Sequence, residues 1–391
     1  MKSNIFSRRL WSRDFILINI LCCLESYPTS IFQSILPVHV LNLGGSNALT
    51  GLMITGLTVL MMLTNLVTAP IVDRFGRKKL LVLGSGLYFI NTLLFCFTSD
   101  LTWIFVLRVL CGLTTGILFP IPPVVVSDVS PEDLMVDAMG IFGASSAIAF
   151  AVAPSIGLAL YEAFGSTVLF ASAAVVGGAG FVLTWFIGEH YERSTKKMQE
   201  KTSSKFNKAV IAVALLPMLV YAVLNFNNSA VGNFLTPCGL SRGLQGISLY
   251  FIVNQGVCIA ARLLLGRALW FMSKKTCTCI GILLAAFGTA IIAIADNMAL
   301  MLLSAVLVGL GFTAVTQIYQ AESFAVVPSD RRGMAGIAFI LLGNVGYGAG
   351  SAVWGALSTG TGYFVAYLLA GASALIGLVF HALYWKKVKT T

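Results

Sequence analysis

The sequence predicts an all-α membrane protein: twelve transmembrane helices in two pseudo-symmetric six-helix bundles. Three observations predict it. Of the 391 residues 58% are hydrophobic and 10% charged, against roughly 25% charged in a soluble globular domain, and mean hydropathy is +0.90. The apolar runs have the length a bilayer demands, about 20 residues for a hydrocarbon core ~30 Å thick. The two halves of the chain match each other at a shift of 197 residues.

Splitting the apolar runs at Gly, Pro and charge punctuation places spans at 15–38, 49–71, 80–98, 101–125, 136–160, 167–188, 209–232, 246–268, 277–295, 298–322, 333–357 and 362–384. The stretch EHYERSTKKMQEKTSSKFNK, 189–208, is the only polar segment of any length and leaves six spans on each side. The expected organisation is an N-terminal bundle over 1–188, a cytoplasmic linker over 189–208 and a C-terminal bundle over 209–391. The first run, Phe15 to Val40, is too long for a signal-peptide core, so no cleaved leader is expected. The shift places Gly112 on Gly309, Pro131 on Pro328, Asp133 on Asp330, Gly165 on Gly362, Gly180 on Gly377 and Lys78 on Lys275. An even number of spans per copy brings both copies into the membrane from one side. That is a parallel repeat, which in secondary transporters holds the solute at the midplane between the copies.

Charge fixes the expected orientation. With both termini cytoplasmic, the inner segments hold Lys2, Arg8, Arg9 and Arg13, then Arg74, Arg77, Lys78 and Lys79, then the central loop, Arg267, Lys274, Lys275, Arg331, Arg332, Lys386, Lys387 and Lys389. The outer loops hold only Arg242, as the positive-inside rule asks. The formal net charge of +10 is thus topology. Spread over short loops, it forms no patch for nucleic acid. A monomer in the cytoplasmic (inner) membrane of a prokaryote is expected, with lipid, protons and a small solute as partners. The eight cysteines lie in or beside apolar runs, read as free thiols and not as disulfides or a metal site. Cys277-Thr278-Cys279 lacks companions for zinc.

Residues 69–82, APIVDRFGRKKLLV, gather one acid and four bases within seven positions on the turn between the second and third spans. The bases alone need only the positive-inside rule. Asp73-Arg74-x-Gly76-Arg77-Lys78 at this place resembles the signature loop of the major facilitator superfamily, with Ala69 where that family usually has Gly. Its copy, GRALWFMSKK, keeps Gly266, Lys274 and Lys275 but carries Trp270 for the acid and Ser273 for the second Gly. A latch of this kind is therefore expected in the first half only. Together with the repeat and the span count, the resemblance covers the whole chain. It implies the superfamily's fold and transport by alternating access, with no enzymatic chemistry and no cofactor. In that family the loop latches cytoplasmic helix ends. Asp73 would sit near a helix N-terminus and Arg77 would pair with an acid on the fourth span, for which Asp128 is the candidate. Glu132 and Asp133 are expected to be solvated loop acids. The fifth span, Gly140-x8-Ala149-x3-Ala153-Pro154-x2-Gly157, is similar in spacing to a motif of the superfamily's exporters, with Ala at two Gly positions. Small residues at this spacing also let helices pack closely.

An ionisable group at mid-bilayer is a functional candidate by default. Glu25 lies about eleven residues into the first span, roughly 16 Å deep, and Arg108 about seven residues into the fourth from the other side, roughly 10 Å deep. Arg108-x3-Gly112-x3-Gly116 is similar to the fourth-helix motif of proton-linked exporters. The two are the expected proton-coupling pair, because a change in their separation would shift the acid's proton affinity. The alternative is a static ion pair that orders the bundle. Thr29 and Gln33 share the face of Glu25. Arg262 shares a face with Gln255, where it either lines the cavity or snorkels. Glu322 lies closer to the inner interface, as gate or site.

The second half offers amides instead of acids. Tyr221, Asn225 and Asn228 share a face of the seventh span, Thr313, Gln317 and Gln320 one of the tenth, and Asn344, Tyr347 and Ser351 one of the eleventh. They bind a polar solute or act as interhelical glue. His39, His190 and His381 have no partner acids at ligand spacing, and no phosphate-binding Gly-rich loop is present. Asn227-x-Ser229 is a formal glycosylation sequon close to a span. The leading expectation is proton-coupled efflux, that is antiport, of a small organic solute. Proton-symport uptake of a polar metabolite such as a sugar or organic acid is the alternative. A non-transporting membrane sensor or scaffold would be expected to carry a large extramembrane domain, which this sequence lacks.

Overall fold

The computed structural model describes residues 10–131, 134–189, 208–325 and 332–388. Every regular element among them is helical. In chain order they are α1 (Arg13–Ser34), α2 (Leu36–Asn42), α3 (Asn47–Phe75), α4 (Arg77–Leu94), α5 (Leu101–Leu118), α6 (Ile121–Val129), α7 (Met135–Thr184), α8 (Lys208–Ser241), α9 (Leu249–Phe271), α10 (Lys274–Ile294), α11 (Met298–Ala325), α12 (Arg332–Gly360), α13 (Gly362–Ala374) and α14 (Ile376–Val388). The twelve expected spans are recovered with different joins. The pairs α1–α2, α5–α6 and α13–α14 are each one broken span, while α7 runs through two spans across Gly165 (φ 81°, ψ −175°). Its copy, Gly362, has φ 86° and opens α13. A side chain at either place would strain the left-handed backbone. The breaks after α1 and α5 fall just before Pro37 and Pro120, which cannot donate to a helical ladder. Lipid tolerates such breaks only if nearby groups stay bonded, as with Ile35 N to Ile31 O (2.8 Å) and Phe119 N to Thr115 O (2.9 Å).

The chain divides into two compact units, Met1–Gly45 with Gly56–Arg193, and Ser46–Thr55 with Ser194–Thr391. The division therefore runs through α3. Within the second unit, Thr55 Oγ1 donates to Gly348 O (2.7 Å), Ala48 N to Thr359 Oγ1 (2.9 Å) and Asn47 Nδ2 to Tyr363 OH (2.9 Å). Gly51 lies against the Ser351 carbonyl, so a side chain there would displace backbone.

Within each unit the packing repeats the 197-residue shift. Gly112 lies on the Leu57 carbonyl and Gly84 on Leu118, while Gly309 lies on the Asn254 carbonyl and Gly281 on Val315. Leu57 and Asn254 are 197 apart, as are Leu118 and Val315, so one register governs both copies. Hydrocarbon supplies no hydrophobic force between helices, and small residues that let backbones approach take its place. Aromatic clusters fill the gaps. Phe32, Phe95 and Phe170 have ring centroids 4.6–5.9 Å apart, and Tyr221 stacks on Phe339 at 4.1 Å.

Two features of the sequence acquire structural explanations. Arg242, the lone base of the expected outer loops, donates to the carbonyls of Ile292 (2.6 Å), Ala293 (2.9 Å) and Ala295 (2.7 Å). It thus caps the C-terminus of α10, where the helix dipole favours a cation. The sequon at Asn227 is not an acceptor site, because Asn227 and Ser229 are buried in the bundle. Asn227 Nδ2 donates to Ala370 O (2.7 Å) and its Oδ1 accepts from Thr289 Oγ1 (3.1 Å).

Gly112→Val is expected to lower the melting temperature of the detergent-solubilised protein, reflecting an overpacking cost of about 1–3 kcal/mol. Gly140→Ala is the contrast, since an added Cβ there meets nothing within 4 Å, and it should leave stability unchanged or raise it. Equal melting temperatures for Gly112→Val and wild type would contradict the close approach of α3 and α5.

Candidate functional site

The charged turn is built from α3, α4, α6 and the chain leaving α7. Asp73 and Arg74 occupy the last turn of α3, and their side chains lie outside the described residues, as do Glu132 and Asp133. Gly76 (φ 87°) is the N-cap of α4 and has no side chain to bond the first amides. Glu189 does so instead, accepting from Arg77 N and Lys78 N (both 3.3 Å), where the helix dipole favours an anion. Lys78 Nζ donates to Trp185 O (3.0 Å), and Asp14 Oδ1 accepts from Gly188 N (3.3 Å). Arg77 forms an ion pair with Asp128.

The second unit has an ionic tie of its own, built without the acid that Trp270 replaces in its copy of the turn. Lys274, the copy of Arg77, pairs with Glu322 at 2.7 Å. The copy of Asp128 is Ala325, and Glu322 stands three residues earlier, nearly one helical turn. The acid has moved along the helix and is absent from the motif's own position, which hides it from a shifted alignment. Tyr384 OH donates to the other oxygen of Glu322 (2.6 Å). Ser273, in place of Gly76, caps α10 with its own hydroxyl on Thr276 N (3.1 Å).

A buried polar cluster occupies the first unit between α1, α4 and α5. Ser85 Oγ donates to Glu25 Oε1 (2.7 Å), and Oε2 of this buried carboxyl has no hydrogen-bond partner among the described residues. Gly180 of α7 closes over it, and a Cβ there would come within 2.9 Å of Oε1. Thr29 Oγ1 bonds Tyr88 OH at 2.7 Å. Arg108 is buried with its guanidinium 5.5 Å from the Phe32 ring centre, a cation–π arrangement. Cys111 Sγ donates to Asn91 Oδ1 (2.7 Å). Ser85, Tyr88 and Asn91 recur every three residues on one face of α4, which makes that helix the spine of the cluster. Glu25 and Arg108 do not form a salt bridge in this structure. Tyr88 is within electrostatic reach of both. Sequence reasoning found the two charges and Thr29 but missed Ser85, Tyr88 and Asn91. Their three-residue recurrence was the available signal. Gln33 is half-buried on α1.

The second copy fills the same places with apolar groups. Gly377, the copy of Gly180, meets Val220 and Ile282 where Gly180 meets Glu25, and Ile282 is the copy of Ser85. Tyr88, Arg108 and Cys111 correspond to Ala285, Ala305 and Val308.

The second unit instead holds a cavity of about 130 Å³ between α8, α9 and α11. Five of the expected residues line it, Asn228, Gln255, Arg262, Thr313 and Gln317. Asn254, Cys258, Phe312 and Thr316 complete the polar and apolar wall and were not anticipated, although helical spacing puts Asn254 and Cys258 on the face of Arg262. The other expected residues do not line this cavity. Tyr221 is stacked on Phe339, and its carbonyl accepts from Asn225 Nδ2 (2.9 Å). Tyr347 OH donates to Asn233 Oδ1 (3.0 Å), tying α12 to α8. Gln320 sits nearly a turn beyond Gln317, and Asn344 is on α12, which contributes nothing to the lining. The exporter-like stretch packs α7: Gly157 abuts Ile31 and Ile35, Pro154 is buried, and Gly140 faces open space.

The sequence profile of the Major Facilitator Superfamily matches residues 18–336. The chain is 19% identical over 363 residues to an uncharacterized MFS-type transporter of Methanocaldococcus jannaschii, covering 88% of this chain and 91% of that one. It is 22% identical over 200 residues to the quinolone resistance protein NorA of Staphylococcus aureus, covering 50% of each chain. It is also 22% identical over 200 residues to multidrug resistance protein 2 of Bacillus subtilis, covering 49% of each, so it spans about half the length of these two relatives. Among solved structures, a POT family transporter in complex with a thioalcohol conjugated peptide aligns with TM-score 0.83 at 13% identity, over 96% of each chain. The nucleoside transporter NupG aligns with TM-score 0.76 at 14% identity, over 95% of this chain and 99% of that one. The profile match over most of the length, on a fold of twelve apolar spans, places the chain in the Major Facilitator Superfamily, as a multi-pass membrane transporter of a small solute and not an enzyme.

Proposed function

We propose that this chain is a proton-coupled secondary transporter that exports a small organic solute by alternating access, with Glu25 as the proton-carrying group. One observation carries the reading. A carboxyl buried in a lipid-embedded bundle costs several kcal/mol unless it is paired or hydrated. Glu25 has a single hydroxyl on one oxygen, at a place where the second copy packs with Val220 and Ile282. The fold does not require an acid there, so its presence points to proton exchange. Tyr88, bonded to Thr29, supplies a hydroxyl within electrostatic reach of acid and base. A shift of α1 against α4 and α5 would change the field of Arg108 at Glu25 and load or release the proton.

The moving bodies are the six-helix bundles 1–188 and 209–391 joined by the linker 189–208, with the basic ends of the helices on the cytoplasmic side. The pairs Arg77–Asp128 and Lys274–Glu322 tie spans together at those ends and act as gate elements. Export is supported by the exporter-like spacing of the fifth span and by the relatives named for quinolone and multidrug resistance. The polar second-unit cavity favours a second reading, symport of a polar metabolite in the opposite direction.

Everted vesicles with an acidic lumen, a compound panel and a pH dye separate the readings. Antiport brings solute in as the lumen alkalinises, whereas symport drives solute out of a preloaded lumen together with protons. Glu25→Gln, which keeps the bond to Ser85, is expected to abolish the pH-driven flux while retaining solute counterflow, and unaltered coupling would remove Glu25 from the mechanism. Asp128→Ala is expected to slow transport about tenfold, the equivalent of ~1.4 kcal/mol. The exchanged pair Arg77→Asp with Asp128→Arg should restore part of the rate. Wild-type rates in Asp128→Ala would reduce that ion pair to a static tie.

A further inference from the structure

The second-unit cavity carries more chemical information than its volume. Three of its lining amides, Asn228, Gln255 and Gln317, and the guanidinium of Arg262 make no hydrogen bond to the protein among the described residues. Other polar groups of the wall are committed to the fold: Asn254 Nδ2 donates to Ala305 O (2.9 Å), Thr316 Oγ1 to Phe312 O (2.6 Å) and Cys258 Sγ to Gly309 O (3.7 Å). The wall thus separates into a layer bonded within the protein and four groups without such a bond, the half-buried Asn228, Gln255 and Gln317 and the exposed Arg262. Polar side chains held in a lipid-embedded bundle without partners are expected to serve a ligand.

Their charge selects that ligand. Arg262 is a cation, and none of the lining residues is an acid. Glu322, farther along α11, is engaged by Lys274 and Tyr384. A cationic solute would meet like charge with no compensating partner, whereas a carboxylate matches the planar fork of a guanidinium in two parallel bonds. The cavity, about 130 Å³, is close to the ~150 Å³ that holds a benzene ring in an engineered protein cavity. The repeat does not impose the arrangement, because the copies of Gln255, Arg262 and Gln317 are Thr58, Asn65 and Pro120.

We propose that this cavity is the solute site and that it takes small organic anions, with Arg262 gripping a carboxylate and Asn228, Gln255 and Gln317 bonding neighbouring polar atoms. The proposal rests on the transport reading above and narrows it to a substrate class.

The test uses the full chain in detergent, with thermal unfolding followed in benzoate, benzamide, benzylamine and chloride at matched concentration. Benzoate is expected to raise the melting temperature by several degrees over the other three, which should act alike. Arg262→Gln should abolish the benzoate shift and Arg262→Lys should retain part of it. Glu25→Gln should keep it whole, since binding does not need the proton site. In reconstituted vesicles carrying pH-driven flux of a panel compound, benzoate should compete at least tenfold better than benzamide, and Arg262→Gln should erase that preference. Equal shifts for the four additives, no shift with benzoate, or a benzoate shift that survives Arg262→Gln would each overturn the inference. Those results leave proton coupling standing, because coupling is read from the pH dye. A benzoate shift that depends on Arg262, without any pH-driven flux, would instead overturn the coupling and keep the anion site.

Discussion

In hydrocarbon a backbone amide or carbonyl without a partner costs several kcal/mol, and most features of this chain answer that constraint. Two of the three broken spans break beside a proline, Pro37 and Pro120, and neighbouring amides stay bonded at those breaks. The helix ends find acceptors and donors at a distance: Glu189 for the start of α4, Arg242 for the end of α10. Interhelical contact relies on glycine set against backbone carbonyls at the same register in both copies. With backbone and packing satisfied in this way, a side chain that remains polar and buried is conspicuous.

Comparing the two copies position by position separates scaffold from chemistry. Gly84 and Gly281, Gly112 and Gly309, and Gly165 and Gly362 keep the same tasks. The polar groups do not recur. The first copy holds Glu25, Ser85, Tyr88 and Arg108 where the second has Ala222, Ile282, Ala285 and Ala305, and the second opens its cavity beside Arg262 and Gln317 where the first has Asn65 and Pro120. Two halves of one fold hold different groups, a buried carboxyl and guanidinium in one and a polar cavity in the other.

Much of this was legible in the sequence because composition, span length and repeat register are local or periodic signals. The twelve spans followed from composition and span length, the pairing of Arg77 with Asp128 from the resemblance of the charged turn, and the polar faces that carry Asn228, Gln255, Arg262 and Gln317 from helical spacing. What escaped were contacts between groups far apart in the chain. Glu189 meets Arg77 N across 112 residues, and Glu322 meets Lys274 from a position that the repeat does not mark. That Glu25 bonds Ser85 and Arg108 faces Phe32, with no ion pair between the two, depends on side-chain direction, which depth counting along a helix does not report. Tyr221, Asn225 and Tyr347 were on polar faces, as expected, but those faces turned out to meet other helices.

The carboxylate at 189 also bears on where the first folding unit ends. Composition puts the border after Gly188, where apolar residues give way to EHYERSTKK. Hydrogen bonding puts it after the next residue, because a piece that stops at 188 leaves the first amides of α4 without their acceptor, next to a glycine that cannot replace it. Counted by the last group its backbone depends on, the first unit includes Glu189, as its contacts also do.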